Sequence, residues 1–240
     1  APTRTVTLSG FRQAAPQSPN EPTLQELVHD VFGFGTTIVG PAQDIDNEGR
    51  LEAVGDEVLS PYWVKADPSQ RVSVRLMSAW HSGNYTCQPK PQLSDGSFLY
   101  WFEKGTVTPP QRGNYLLGGS KEDVQRVLPR DYEEPTRPAT STFDPGTKIF
   151  GWTVEAEYSD EALQEQEPAC PTDGGTRFPC CPAGQTCGHR VRFWPVKSAD
   201  GTVVANTYVM SIDWHVSDFS SSNYDFNDET YFLQNIKPAR

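Results

Sequence analysis

The run Asn206-Thr-Tyr-Val-Met-Ser-Ile-Asp-Trp-His215 and the run Glu229-Thr-Tyr-Phe-Leu-Gln-Asn-Ile236 set the architecture that we expect for this chain. In both runs polar and apolar side chains alternate, which is typical of half-buried β-strands. The residues between them are rich in Asp, Asn and Ser, which favour turns. We therefore predict two strands separated by an acidic loop.

This acidic loop has the composition of a calcium site. Calcium takes about six to eight oxygen ligands, and carboxylates, amide carbonyls and backbone carbonyls supply them. Five such side chains fall within eleven residues, and we predict that they bind Ca²⁺: Asp218, Asn223, Asp225, Asn227 and Asp228. The EF-hand pattern does not fit, because its glycine and its closing glutamate are both missing. An ordinary turn, stabilised by side-chain to backbone hydrogen bonds, is the alternative.

A second acidic turn precedes Gly49. Asp44, Asp46 and Glu48 alternate there and form a second candidate metal turn. A solvated turn without a metal explains the same residues.

The composition favours an all-β protein. Aromatic residues make up 11% of the chain, and 19 glycines and 21 prolines accompany them, which suits many short strands joined by structured loops. We predict an antiparallel, jelly-roll-like β-sandwich with one or two short helices and a disulfide-rich loop insertion. The chain forms either one domain, 1–240, or two β subdomains, 1–135 and 140–240, with the cysteine-rich insertion at 164–188.

The charge of the chain restricts its partners. A net charge of −11 disfavours nucleic acid and anionic membrane surfaces. No apolar run approaches the length of about 18 residues that spans a bilayer, so we expect no membrane insertion. A start at Ala1 without a charged leader or an apolar signal core is what we expect of a mature secreted chain or of an excised domain.

Four of the five cysteines lie within eighteen residues: Cys170, Cys180, Cys181 and Cys187. In an oxidising compartment we expect two disulfides among them, in one of three pairings, and a free thiol at Cys87. A zinc site that includes His189 is the alternative. It is disfavoured by the adjacent pair Cys180-Cys181 and by the lack of a CxxC motif.

Two segments carry helix signals. The segment Thr23–Phe32 has Thr23 as cap and Glu26 as its capping-box partner. The segment Ser120–Leu128 predicts a short helix capped by Ser120. A further helical turn is expected after Ser159, with Ser159 as its cap.

Strand signals follow the second half of the chain. The segment Lys148–Tyr158 predicts one strand. Asp200-Gly201 is a hairpin signal, so the strands around Val191–Phe193 and Val203–Met210 should pair.

Several residues keep an enzyme under consideration. Two carboxylate pairs, Glu155 with Glu157 and Asp56 with Glu57, fit acid–base chemistry, although a solvated acidic face explains them equally well. A copper or zinc group built on the histidines, with Asp213 as a supporting ligand, is a further hypothesis, and its residues are His81, His189 and His215. No GxSxG, HExxH, Walker or GxGxxG pattern occurs.

The aromatic run Phe98-Leu-Tyr-Trp-Phe102 supplies candidate ligand contacts. Aromatic residues of this kind usually fill a core, and contact of Tyr100 or Trp101 with a sugar ring is the functional alternative.

A series of short motifs resembles a β-rich module of large bacterial secreted and cell-surface proteins. The resemblance covers roughly residues 36 to 238, and its motifs are GDEVLSPYW from Gly55, YSDEAL from Tyr158, HRVRFWP from His189, NTYV from Asn206 and NYDFND from Asn223. It implies an extracellular β-rich module with a polar, metal-binding loop near Asp225 and Asp228, but no defined activity. The cysteine insertion departs from the pattern.

These observations predict a non-catalytic, calcium-stabilised extracellular module that binds a glycan or another extracellular protein or subunit. A glycan-active or metal-dependent enzyme and a structural subunit of an extracellular assembly are the alternatives.

Overall fold

The structure is a computed structural model. It describes residues 22–38, 55–81, 98–108, 111, 113–118, 124–131, 135–154, 157–164, 170–171, 177–178, 190–213 and 226–239.

The described part of the chain is mostly β. Helix α1 (Leu24–Glu26) continues as a π-helical segment (Leu27–Val31), and α2 spans Glu161–Gln164. The strands are β1 (Trp63–Lys65), β2 (Val72–His81), β3 (Phe98–Glu103), β4 (Asn114–Gly118), β5 (Val124–Val127), β6 (Thr140–Phe143), β7 (Phe150–Val154), β8 (Glu157–Tyr158), β9 (Cys170–Pro171), β10 (Arg177–Phe178), β11 (Val191–Lys197), β12 (Val203–Ile212), β13 (Glu229–Gln234) and β14 (Ile236–Pro238).

Two antiparallel sheets form a β-sandwich, as the sequence predicts. Sheet I has the order β14-β1-β7-β3-β4, with β8 paired to β7. Sheet II has the order β11-β12-β13-β2-β5, with β6 paired to β2, and β9 and β10 pair separately. A jelly-roll-like connectivity stays a prediction, because the connections at 39–54, 82–97 and 214–225 lie outside the described residues.

The inner faces of the two sheets enclose the main hydrophobic core. Alternation along each strand places every second side chain between the sheets. Trp63 of sheet I shows the contact most directly, since its ring lies 4.6 Å from that of Phe193 and 4.7 Å from that of Tyr208, both on sheet II. The largest other core side chains are Phe143, Phe150, Trp152, Met210 and Tyr231.

The runs around Asn206 and Glu229 form neighbouring strands. They become β12 and β13, which pair from Thr207 with Gln234 to Ile212 with Glu229. The hairpin predicted at Asp200-Gly201 is also confirmed, since β11 pairs with β12 and Gly201 has a φ of 84°.

The predicted capping box at Thr23 is confirmed. The Thr23 hydroxyl accepts from the backbone of Glu26, and the Glu26 carboxylate accepts from the backbone of Thr23 at 2.7 Å. The helix and the segment after it pack on the outer face of sheet II, where a second core forms from Leu24, Val28, Ile38, Trp194, Val196, Val209 and Phe226.

Three local predictions are wrong. The segment Ser120–Leu128 is not one helix, because residues 124–127 form β5 and pair with the end of β2. The segment Lys148–Tyr158 is not one strand, because β7 and β8 fold back on each other through Thr153 and Tyr158. Asp160 rather than Ser159 caps α2, since its carboxylate accepts from Ala162 N while the Ser159 hydroxyl bonds to Trp152 N and Pro61 O.

Both sheets combine strands from the two halves of the sequence. Sheet I joins β1, β3 and β4 to β7 and β14, and sheet II joins β2 and β5 to β11, β12 and β13. The described strands therefore do not separate into the two subdomains 1–135 and 140–240. No helix in the described part of the chain is long and apolar enough to cross a membrane.

Candidate functional site

The structure describes two of the five residues predicted to bind calcium. Asn227 is 1% exposed, and its Nδ2 donates to the Pro22 carbonyl at 2.9 Å. The Asp228 carbonyl accepts from Trp80 N at 3.0 Å. Both residues therefore attach the end of the acidic loop to the sandwich. The other three, Asp218, Asn223 and Asp225, lie outside the described residues, and the calcium site stays a prediction.

Most other predicted metal and thiol positions also lie outside the described residues. These are Asp44, Asp46, Glu48, Cys87, Cys180, Cys181, Cys187, His189 and His215. Cys170 begins β9 and His81 ends β2, but their side chains are not described. Among the residues that the structure does describe, no group of three or more His, Cys, Asp or Glu side chains lies together.

Two of the carboxylates named as acid–base candidates, Asp56 and Glu57, contact a cation, and so does Asp213, the supporting ligand of the histidine hypothesis. Asp56 Oδ1 accepts from Lys197 Nζ at 2.6 Å, and buried Asp213 accepts from Arg190 at 3.1 Å. Glu57 binds Arg192 through both oxygens, at 2.7 Å to Nε and 2.6 Å to Nη2. Glu157 is buried on β8, and Glu155 is outside the described residues.

The Glu57–Arg192 pair is built into the second core. Both side chains are almost fully buried, and the guanidinium carbon lies 5.2 Å from the Trp194 ring and 4.7 Å from the Phe226 ring. A planar guanidinium between two aromatic rings, with a carboxylate at its edge, satisfies charge, hydrogen bonding and packing together. This arrangement is a structural clamp between the segment at Glu57 and β11.

The two aromatic side chains named as ligand contacts point in opposite directions. Trp101 packs against the main core, stacked 5.1 Å from the Phe143 ring and edge-on to Phe150 at 6.2 Å. Tyr100 follows buried Leu99 and therefore lies on the outer face of sheet I. Both side chains are half-buried, but they lie on opposite faces of the sheet.

Tyr100 belongs to a patch of three aromatic residues, which we call the aromatic patch: Phe98, Tyr100 and Tyr115. Tyr115 lies directly opposite Tyr100 across the β3–β4 pairing, with ring centroids 5.8 Å apart in a T-shaped arrangement. Phe98 lies 6.1 Å from Tyr115. Tyr115 is 44% exposed, whereas Phe98 and Tyr100 are half-buried.

The cross-strand row that contains the patch continues into the sheet. Thr153 lies opposite Tyr100, and Tyr158 lies opposite Thr153. Both are buried, and the Tyr158 hydroxyl donates to the Gln111 carbonyl at 3.0 Å. The buried residues of the row, Thr153 and Tyr158, thus support Tyr100 and Tyr115 at the β4 edge.

Beside this row, a polar pair covers the centre of the outer face of sheet I. The Tyr62 hydroxyl donates to Asp160 at 2.5 Å, and Lys104 Nζ lies 4.7 Å from the Tyr62 ring. Burial raises the pKa of Tyr62, and the hydrogen bond to the Asp160 carboxylate raises it further. The phenol is therefore held neutral and acts as a donor that ties α2 to the sheet.

Sequence reasoning missed Tyr115 and Phe98 as members of the patch. Tyr115 follows Gly113, whose φ is 101° and whose α-carbon has no room for a Cβ, because one would lie 2.4 Å from the Trp101 carbonyl. That close approach brings β4 against β3, but the register between them includes a bulge between Leu99 and Tyr100. The alignment of the two tyrosines depends on this bulge and has no signal in the local pattern.

The β4 edge of sheet I presents aromatic side chains on its outer face. The aromatic patch offers rings and phenol hydroxyls there, whereas the carboxylates of Asp56, Glu57, Asp160 and Asp213 lie in ion pairs or hydrogen bonds. Comparison of the chain with known protein families, with curated proteins and with solved structures finds no match.

Proposed function

We propose that this chain is a non-catalytic carbohydrate-binding β-sandwich module that binds neutral glycans through the aromatic patch. The observation that carries the proposal is the Tyr100–Tyr115 pair. The Tyr100 ring contacts the Tyr115 ring, and Tyr115 is 44% exposed at the edge of sheet I.

The chemistry of tyrosine suits a sugar ligand. A sugar ring has an apolar face of C–H groups and an equatorial rim of hydroxyls. A tyrosine ring offers a flat apolar surface with a hydroxyl at its tip, and it loses little conformational entropy on binding because it has only two rotatable side-chain bonds. The T-shaped contact with Tyr100 restricts the Tyr115 ring further, which lowers the entropic cost of binding.

The charge of the chain favours neutral glycans over polyanionic ones. With 31 acidic and 20 basic residues, the surface repels sulfated or carboxylated polymers at a distance. The aromatic patch itself contains no charged side chain.

The proposal includes the setting expected from the sequence. The module belongs to a secreted or cell-surface protein, and calcium at Asp218, Asn223, Asp225, Asn227 and Asp228 stabilises its fold. Asn227 and Asp228 support a structural role for the metal, because both join the loop to the rest of the sandwich. A ligand that binds only the folded state raises its stability.

The test is binding of the intact chain to soluble xylan, mannan and β-glucan, with alginate as the polyanionic comparison, measured by affinity electrophoresis and calorimetry. Tyr115→Ala and Tyr100→Ala should each weaken binding to the bound neutral glycan by at least about tenfold, which corresponds to about 1.4 kcal/mol. The matched control is Val203→Ala, which truncates a side chain that is 56% exposed on sheet II and should leave binding unchanged.

The calcium arm repeats each measurement in EDTA. We expect EDTA to lower the melting temperature of the wild-type chain but not that of the Asp225→Ala, Asp228→Ala double variant. If no neutral glycan binds at millimolar concentration, or if Tyr115→Ala binds as well as the wild type, the proposed function is wrong. An unchanged melt in EDTA would remove only its calcium component.

A further inference from the structure

A shallow depression opens on the outer face of sheet I, at the edge opposite the aromatic patch. It has a volume of about 460 Å³ and is lined by Val64, Ile149, Lys237, Pro238 and Ala239. Its floor is aliphatic, since Val64 is half-buried and Ile149 is 36% exposed. We call it the lysine-flanked depression, because of the two lysines described next.

The floor of the depression is one cross-strand row. Lys237 of β14 lies opposite Val64 of β1. Trp63 lies opposite Phe150 on the inner face, so Val64 is next to Ile149 on the outer one. Lys104 N donates to the Ile149 carbonyl at 2.9 Å and completes the row. Two aliphatic side chains therefore lie between two lysines.

These two lysines differ from the other lysines that the structure describes. Lys65, Lys148 and Lys197 lie in ion pairs with Asp144, Glu103 and Asp56, at 2.6 to 2.7 Å. Within the described part of the chain, neither Lys104 nor Lys237 lies in an ion pair. Lys237 lines the depression, and Lys104 lies at the other end of the row, with its Nζ 4.7 Å from the Tyr62 ring.

The β14 edge of sheet I, beside this depression, is poorly suited to pairing with an added strand. Ala66 N donates to the Asn235 carbonyl and Ala239 N donates to the Tyr62 carbonyl, so Lys237 occupies a bonded pair with Val64. Because bonded and non-bonded pairs alternate, Pro238 turns its backbone away from β1, and proline has no N–H to offer there. A ligand is therefore recognised by the side chains of the face rather than by the backbone of the edge.

We infer that the lysine-flanked depression docks an acidic peptide segment of a partner protein, with an aliphatic side chain on Val64 and Ile149 and carboxylates at Lys104 and Lys237. An aliphatic floor suits aliphatic side chains, in contrast to the tyrosines of the aromatic patch. The lysines supply the charge that complements an acidic partner. The inference is independent of the proposed glycan site.

The experiment uses a synthetic peptide of alternating Glu and Val, and the same peptide with Gln in place of Glu, titrated into the intact chain. Binding is measured by calorimetry and by NMR shifts of the methyl groups of Val64 and Ile149. We expect the Glu peptide to bind and to shift both methyl signals, and its affinity to fall as salt is raised. The Lys104→Gln, Lys237→Gln double variant should lose about tenfold in affinity, the effect of two exposed ion pairs.

The matched control is Lys148→Gln, which removes a neighbouring lysine that already pairs with Glu103. It should bind the Glu peptide as the wild type does, and so should Tyr115→Ala. The inference is overturned if the Gln peptide binds equally well, or if Lys148→Gln weakens binding as much as Lys237→Gln. It is also overturned if sedimentation shows a dimer that Lys237→Gln dissociates, because the occupant is then a second copy of this chain.

Discussion

The outer faces of the two sheets differ in how far other segments of the chain cover them. The segment from Pro22 to Ile38 covers the outer face of sheet II and buries a second core there. Among the described residues, the outer face of sheet I is covered at its centre, where Phe102, Val107 and Tyr158 form a small cluster with Tyr62 and Leu163. The aromatic patch and the lysine-flanked depression lie at opposite ends of that face.

The β11 edge of sheet II is also covered by other segments of the chain. Strand β11 is an edge strand, yet its outward carbonyls accept hydrogen bonds from the covering segments: Val58 N donates to Phe193, the Thr36 hydroxyl to Pro195 and Gly35 N to Lys197. A paired edge cannot recruit another strand. Within the described residues, the outer face of sheet II is therefore covered more completely than that of sheet I, where both proposed sites lie.

The largest expected effect comes from a change on the covered outer face of sheet II. Arg192→Met removes the bidentate partner of the buried Glu57 carboxylate and should lower the free energy of unfolding by about 3–5 kcal/mol. Urea unfolding at neutral pH measures the change. The Glu57→Gln, Arg192→Met double variant should be far less destabilised, because neither charge is then buried alone.

The matched control for this variant lies on the partly open side. Lys148→Met breaks an ion pair with Glu103 whose side chains are 51% and 38% exposed, and should cost no more than about 1 kcal/mol. If Arg192→Met and Lys148→Met destabilise the chain equally, the clamp at Glu57 does not hold the covered face.

A smaller effect compares two glycines that permit close packing on the two faces. A Cβ at Gly151, under sheet I's central cluster, would lie 2.5 Å from the end of the Phe102 ring. A Cβ at Gly35, in the segment covering sheet II, would lie 2.4 Å from the Ser198 carbonyl. Both alanine variants should cost about 1–3 kcal/mol, with Gly35→Ala the more costly because a backbone atom adapts less readily than a side chain.

A double-mutant cycle separates the two cases. Phe102→Leu removes the ring atoms that a Cβ at Gly151 would meet, so Gly151→Ala should be better tolerated in that background than in the wild type. The same background should not change the cost of Gly35→Ala. Equal costs of Gly151→Ala in both backgrounds would show that the Phe102 ring is not the obstacle.

Most of sheet II could be predicted from the sequence because its signals are local. Strands β12 and β13 alternate cleanly, Asp200-Gly201 sets the turn between β11 and β12, and the capping box at Thr23 starts α1. The helix predicted over residues 120–128 rests on the capping signal of Ser120, a local pattern. The pairing of residues 124–127 with the end of β2 overrides that pattern, as β-branched valines suit a strand once a partner is present.

The candidate sites could not be predicted in this way because they depend on long-range register. Glu57 and Arg192 are 135 residues apart in sequence, and Tyr100 and Tyr115 meet through a bulged pairing. Lys104 and Lys237 lie at the two ends of a row that crosses the ends of four strands, β3, β7, β1 and β14. Local patterns identify Tyr100 as an aromatic on a strand, but the face on which it lies follows only from the burial of Leu99 and the packing of Trp101 against the main core.

The smallest expected effects concern the pH dependence of stability. One group on the sheet I side loses its stabilising contribution at high pH, and one on the sheet II side loses its contribution at low pH. On sheet I, the pKa of Tyr62 is raised by burial and by the hydrogen bond to Asp160, so the neutral phenol is stabilised in the fold. Its contribution is complete below the unfolded pKa of about 10 and is lost as the pH rises above it. Tyr62→Phe should therefore flatten the alkaline limb of stability against pH.

On the sheet II side, Asp56 responds in the opposite direction. Burial acts to raise the pKa of Asp56, but hydrogen bonds from Lys197 and Thr37 and the charge of Lys197 outweigh it, and the pKa is lowered. Its contribution is present above the unfolded pKa of about 4 and is lost as the pH falls below it. Asp56→Asn should flatten the acid limb and leave the alkaline limb unchanged, as urea unfolding across the pH range would measure. Both effects are small because the two side chains are partly exposed, but their opposite signs make them separable. A Tyr62→Phe variant that altered the acid limb instead would contradict this assignment of the two limbs to the two faces.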